Sequence, residues 1–555
     1  MTRPRQPEIS AVPKKLLTLL AIGTFIAANP AAAEDGKYSQ GVFIINEDWY
    51  GTNSSSVNFL DDNGEWSYRV FQTENPGMEL GCTAEAGQIY GGKFFIMAKQ
   101  PDGIKVKGGR LTVCDATTMK SLKQFPELGG ADGRGFLGVD EHKGYVGTTN
   151  GIYVLDIDAL EISGSVKKSG STEIYPGEIG NMVRVNDYVF AIHRDDDLLV
   201  IDPTSDTVLK VLSAPDNMDL GSIVLSKDGT LWCSRIANGN AANSLWKINP
   251  ATLETEVVAL PDGIYGPANS WYAWTPDAFC ASTQNNVLYW NGGASSWTSG
   301  YMIFKYDIDT NTATKIVDIQ SEGWQIYGCS MRVDPVSDEI YATLNKNWSN
   351  EYITRIYNAN GEKINEYALE ANYWFPAQPV FPDNAEPTVK DLGVQKASAS
   401  EETTISLKDW ASDADNLSAA IVKTVIGTGS DAFTAKISNG DLVITPVSVS
   451  EGLTSNVDIK VNSNGKIVNS SITIEFGKAS GVEASTAAEV SVKTLGGKAI
   501  RIANAAGKLV EVYNFAGAVV ASFTATSDSQ VATLDVNAGV YIVKVAGTTH
   551  KTIVK

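Results

Sequence analysis

The sequence predicts an all-β chain: a seven-bladed β-propeller closed by both chain ends, followed by two smaller β modules. The first observation behind this is a repeated phrase, an apolar strand, an Asp or Asn, a small polar turn and a second β-rich strand. Its clearest copy is LLVIDPTSDTVLKVL (198–212), and aligning the seven copies on Asp61, Asp115, Asp156, Asp202, Asn249, Asp307 and Asn358 gives gaps of 54, 41, 46, 47, 58 and 51 residues. That period belongs to propeller blades rather than helical repeats. The second observation is that two further apolar alternations joined by a polar turn precede the phrase, as in MVRVNDYVFAIHR (182–194) and IVLSKDGTLWCSR (223–235), which completes a four-stranded A-B-C-D unit. The third is the complementarity of the ends. Residues 41–72 supply strands B, C and D without an A, while YWFPAQPVF (373–381) supplies an A with nothing after it. A seventh blade made from both ends removes the exposed sheet edges of an open array.

Taken in order, residues 1–33 read as a secretory signal: Arg3, Arg5, Lys14 and Lys15 precede the apolar run 16–28, and AAA (31–33) suits cleavage by a signal peptidase. No Cys stands at the cleavage point, so no lipid-bearing N-terminus is expected. No later stretch reaches the roughly 20 apolar residues of a spanning helix. Residues 34–384 are the propeller. Its recurring Asp or Asn caps the turn that follows each third strand, a structural role that needs no chemistry. The chain carries 44 Lys and Arg against 64 Asp and Glu, a net charge of −20, which argues against nucleic acid as a partner. Five cysteines (Cys82, Cys114, Cys233, Cys280 and Cys329) leave at least one thiol unpaired, form no CxxC pair and suit small buried positions. With three histidines (His142, His193 and His550), none near another in sequence, neither a zinc site nor a Cys/His catalytic site is expected, and no cofactor is assigned.

At 376–387 the composition turns to proline and polar residues, the exit from the propeller. The segment 385–477 alternates β runs (403–407, 441–447, 471–477) with turns at a length suited to a small sandwich. It resembles the immunoglobulin-like or cadherin-like modules of bacterial surface proteins. Its acidic turn SDADN (412–416), around Asp413, has the oxygens a calcium ion would need, although such turns are more often solvated. The last module, 478–555, contains VEVYNFAG (510–517), AGVYIVKV ending at Val545 and a terminal KTIVK. These three elements in this order resemble the C-terminal sorting domain of the type IX secretion system of Bacteroidetes, which implies passage across the outer membrane and retention at the cell surface.

The opening of the propeller, GVFIINEDWYGTNSSSVNFLD (41–61), resembles the DUF5074 or YncE-like propellers of Bacteroidetes. That group includes BtuG-type surface proteins, which capture cobalamin. The resemblance implies a small-molecule ligand, most plausibly a corrinoid taken up through an outer-membrane transporter. It transfers no binding residue.

The residues themselves supply the candidate site. A-to-B and C-to-D turns are tight, whereas the other end of the disc receives long loops rich in aromatics. The candidate ligand-binding residues are Trp49, Tyr50, Trp271, Tyr272, Trp274, Trp297, Trp324, Trp348 and Trp374, with Arg194 and Arg235 as orienting charges. Aromatic loops also pack as structural supports, and that reading stands beside the functional one. Two other functions remain open. One is a propeller enzyme acting on glycans through carboxylates such as Glu47 with Asp48, or Glu178 with His193. The other is a surface scaffold for protein partners.

Overall fold

The computed structural model describes residues 36–101, 107–194, 197–237, 240–267, 278–293, 299–346, 351–477, 490–496, 498–527, 529–545 and 548–554. Among these, the region up to residue 380 forms seven antiparallel sheets of four strands, one of which gains a short extra strand, Lys167–Lys168. The first sheet is assembled from both ends of the region, in the order Pro376–Val380, Gly41–Asn46, Ser56–Asp61, Trp66–Ser67. Its seam runs antiparallel, with Phe43 opposite Val380 and Ile44 opposite Pro379. Pro376 and Pro379 are tolerated because Pro376–Val380 is an edge strand, where a missing N–H breaks no ladder on its open side. The other six sheets run in chain order and open on Cys82–Tyr90, Gly133–Gly138, Ile179–Val185, Asp219–Leu225, Cys280–Ala281 and Trp324–Val333.

Both faces of the strand Gly41–Asn46 are covered, which explains why its run VFII does not alternate with polar residues. Phe43 and Ile45 pack with Ile89, Phe94 and Ile96 of the second sheet. Val42, Ile44 and Leu60 face the other way, toward Tyr341 of the last. The opening strands lie side by side, and Pro376–Val380 lies between Trp324–Val333 and Cys82–Tyr90.

The seven repeated Asp and Asn side chains all do one job. Each Oδ1 accepts backbone N–H groups of the turn that follows, for example Thr117 and Thr118 on Asp115, Asp158 and Ala159 on Asp156, and Ala251 and Thr252 on Asn249. Asp61, Asp202, Asp307 and Asn358 repeat the pattern. The expectation that strand D runs to the end of the 41–72 segment is corrected. Only Trp66–Ser67 pairs, Arg69 turns the chain at φ 51°, and Val70–Glu74 is a short helix that buries Val70 and Phe71. All five cysteines are buried.

The described chain divides into two compact units, the first reaching residue 395 and including 403–445 and 455–474, the second comprising 396–402, 446–454 and the segment from 475. In the first, the module after the propeller-like region seats against its tight turns. Asn464 Nδ2 donates to the Ile89 carbonyl at 3.0 Å and to Asp383 at 2.9 Å, the Asn439 N–H donates to Asp187 at 3.0 Å, and Lys460 pairs with Glu141. Its β runs form the strands Thr403–Ile405, Asp441–Pro446 and Lys466–Gly477. In the second unit, two sheets enclose Ile500, Ile502, Val510, Val512, Val543 and Val545. Among the described residues, no helix is long and apolar enough to cross a membrane.

Candidate functional site

At the loop-bearing end of the first two sheets, the strand Gly41–Asn46 delivers Glu47 and Asp48 into the protein, where both are almost wholly buried. Backbone hydrogen bonds from Glu47 N to the Phe375 carbonyl (3.0 Å) and from Asp48 N to that of Trp374 (2.9 Å) fix the two residues. Glu47 meets Glu85 within hydrogen-bond reach, and the Tyr327 hydroxyl donates to it. Glu85 also forms an ion pair with Lys99. Burial, then the neighbouring Glu85 charge, pushes the Glu47 carboxyl well above its usual range. Asp48 is separate from this pair: it accepts from Arg69 at 2.5 Å and Ser56 at 2.6 Å, and burial raises it to about 6.

Local backbone irregularity aims these groups. Glu85 lies in a register break between Ala84 and Ala86, Tyr327 in one between Ile326 and Met331, and the seam strand shifts just before Glu47. A bulge turns a side chain that regular pleating would send to the other face. Asp48 (φ 56°), Thr83 (φ 61°) and Phe375 (φ 42°) adopt the left-handed region, which costs non-glycine residues of order 1–3 kcal/mol each and concentrates at ligand-contacting sites. Charge pairs continue on the neighbouring sheets, Asp132 with Arg110, and Glu178 with both Arg134 and Arg194.

Beside the carboxyl pair runs an aromatic shelf. Trp49 and Tyr373 stand 4.9 Å apart and are 50% and 38% exposed, Tyr373 stacks on Phe375 at 6.3 Å, and Phe375 meets the edge of Tyr327 at 5.8 Å. Tyr50 is exposed next to Trp49. Trp324 is half-buried on a strand rather than in a loop, with the Lys346 ammonium 5.3 Å from its ring.

Two expected site residues are corrected. Trp374 is fully enclosed: its Nε1 donates to the Glu370 carbonyl, Tyr68 stacks on it at 5.5 Å and Arg69 covers it at 5.1 Å, so no ring face remains for a ligand. Arg235 is also buried and donates to Ser244, to the Pro215 carbonyl and to Asp216, holding a loop. Arg194 is exposed and paired with Glu178. Trp271, Tyr272, Trp274, Trp297 and Trp348 lie outside the described residues. The expected carboxyl pairing is corrected as well, since Glu47 pairs with Glu85 rather than Asp48, while Glu178 is held by arginines and the His193 ring by the Pro176 carbonyl. Near Asp413, Asp415 accepts the Asn384 and Ala385 N–H groups, and among the described residues no three His, Cys, Asp or Glu side chains converge.

Residues 40–382 match the family model described as a domain of unknown function, DUF5074. The chain belongs to the DUF5074 family. Residues 479–554 match a second model, a domain of unknown function, DUF6383. Among solved structures, the chain is similar to a quinonprotein alcohol dehydrogenase-like protein from Bacteroides thetaiotaomicron at 20% identity, over 62% of this chain and 79% of that one, with a TM-score of 0.47. It is also similar to PorZ, a surface component of the type-IX secretion system of Porphyromonas gingivalis, at 12% identity over 90% of each chain, with a TM-score of 0.24. No curated protein matches it.

Within the DUF5074 region, sequence reasoning missed Glu85, Lys99, Tyr327 and Phe375. Glu85 and Tyr327 lie 38 and 280 residues from Glu47, and no spacing rule joins them. The local hint is the polar step Asn46-Glu47-Asp48 that follows the apolar run VFII.

Proposed function

We propose that this chain is an exported, surface-retained ligand-binding protein whose seven sheets close into a seven-bladed propeller, and that its ligand is a corrinoid passed on to an outer-membrane transporter. In this reading residues 1–33 are a signal peptide, 34–384 the propeller, 385–477 an Ig/cadherin-like sandwich and 478–555 a type IX sorting domain. The sheet shared by both ends and the side-by-side opening strands support closure. The observation that carries the ligand reading is the exposed Trp49–Tyr373 shelf leading to the buried Tyr327–Glu47–Glu85 cluster. A corrinoid presents a broad apolar ring edged with primary amides, and amides donate to carboxylates and accept from Lys and Tyr. The glycan-enzyme reading has less support. Glu47 and Glu85 are both buried, and Glu85 is held in an ion pair by Lys99.

The test is titration of the protein with cyanocobalamin, followed by tryptophan fluorescence and calorimetry. Saturable binding is expected, and the Trp49→Ala, Tyr373→Ala double variant should weaken it by about tenfold or more. Absence of binding to any corrinoid tested, or binding untouched by the double variant, would overturn the proposal in favour of a protein-binding scaffold.

A further inference from the structure

The opposite end of the propeller-like region holds a cavity. It has a volume of about 400 Å³, within the range of small-molecule sites. Six opening strands contribute to its wall, among them through Tyr90, Leu137, Arg184, Leu225 and Arg332, and the module after residue 385 closes over it with Leu417, Ala420, Val422 and Asn462. The lining is mostly apolar.

Arg184 is the anomaly in this wall. Its Nε and Nη1 atoms are buried and have no acceptor within the protein. Buried N–H donors without an acceptor cost free energy, and a ligand group that accepts from them recovers it. Asp140 and Asp187 lie near enough to act on Arg184 electrostatically, but neither lines the cavity, and Asp187 accepts from the Asn439 N–H. The lining carboxylate, Asp415, already serves the backbone N–H groups of Asn384 and Ala385 and the side chain of Asn416. Arg332, whose Nη1 donates to the carbonyls of Cys329 and Met331, brings a second positive charge to the same wall.

We infer that this cavity is a binding site for a small organic carboxylate with an apolar body, its carboxylate on Arg184 and its chain against Leu137, Leu225, Leu417 and Val422. A carboxylate oxygen would accept from the N–H group at Nε or Nη1 of Arg184, a charge-assisted hydrogen bond that a neutral amide matches less well. This site is separate from the aromatic shelf and does not depend on what the shelf binds.

Octanoate and its neutral counterpart octanamide are the probes, read by thermal unfolding and calorimetry of the full chain. Octanoate should raise the unfolding midpoint saturably, and octanamide should bind at least about tenfold more weakly. Arg184→Met should remove that preference. Ala420→Phe keeps Arg184, fills the cavity and should abolish binding of both probes, so it carries the test if Arg184→Met does not fold. Trp49→Ala should leave octanoate binding intact. Equal affinity for the two probes, no saturable shift, or undiminished octanoate binding in both cavity variants would overturn the inference.

Discussion

At the residue scale, position along a strand was legible and environment was not. The seven Asp and Asn side chains act on backbone a few residues away, so the sequence contains the whole interaction. Replacing Asp115 with Ala removes an acceptor shared by Thr117 and Thr118 and should cost about 1–2 kcal/mol in urea unfolding, whereas Asn should cost less. An Ala variant as stable as the parent would refute this. Trp374 and Arg235 show the opposite case. Their side chains are among the types that recognise ligands, but Tyr68, Arg69 and the loop at Pro215 cover or bind them, and those partners come from distant parts of the fold. Asp48 makes an argument of its own. Its carboxyl rises from 3.8 to about 6 in the fold, so between those values the folded state holds more protons than the unfolded chain. Its contribution to stability is therefore complete below about pH 4 and is lost as pH rises through about 6, a loss of about 3 kcal/mol. Urea midpoints measured from pH 4 to 7 should fall less steeply in Asp48→Asn than in the parent, and parallel profiles would contradict the assignment.

At the element scale, the apolar runs found most of the strands, and the complementary ends found the pairing of Gly41–Asn46 with Pro376–Val380. The short helix Val70–Glu74 was missed because VFQ fits either a strand or one helical turn, and the left-handed Arg69 decides between them. Register breaks were invisible for a related reason. A bulge is specified by which strand lies alongside, so nothing around Glu85 or Tyr327 announces that these residues turn toward Glu47. Deleting residues 376–380 should uncover the edge of Gly41–Asn46 and leave Phe43 and Val42 without part of their cover. The expected result is loss of cooperative unfolding with aggregation, read by circular dichroism and light scattering. A truncated protein that unfolds like the parent would show that the seam strand is dispensable.

At the scale of the whole molecule, the first unit joins the propeller-like region to part of the module that follows. Lys466 is hydrogen-bonded to the Asp383 carbonyl, Asn462 to the Tyr90 hydroxyl and Lys460 to Glu141, and Leu417 and Ala419 pack on the cluster around Val185 and Leu225. These contacts predict that the propeller-like region and this module unfold together. Calorimetry of a chain ending at residue 384 should therefore show a lower midpoint than the full chain, and an unchanged midpoint would mean that the module is an independent passenger.

The sequence by itself determined the strands, their capped turns, the repeat and the pairing of the two ends. Each of these depends on local hydrophobic periodicity, on side chains that bond their own turns, or on counting units. Only the tertiary structure decided which carboxylates meet, which tryptophans show a face and where an arginine is left without an acceptor. The physical reason is that burial and charge pairing depend on distances between sheets, and residues 38 or 280 positions apart become neighbours only after the sheets pack.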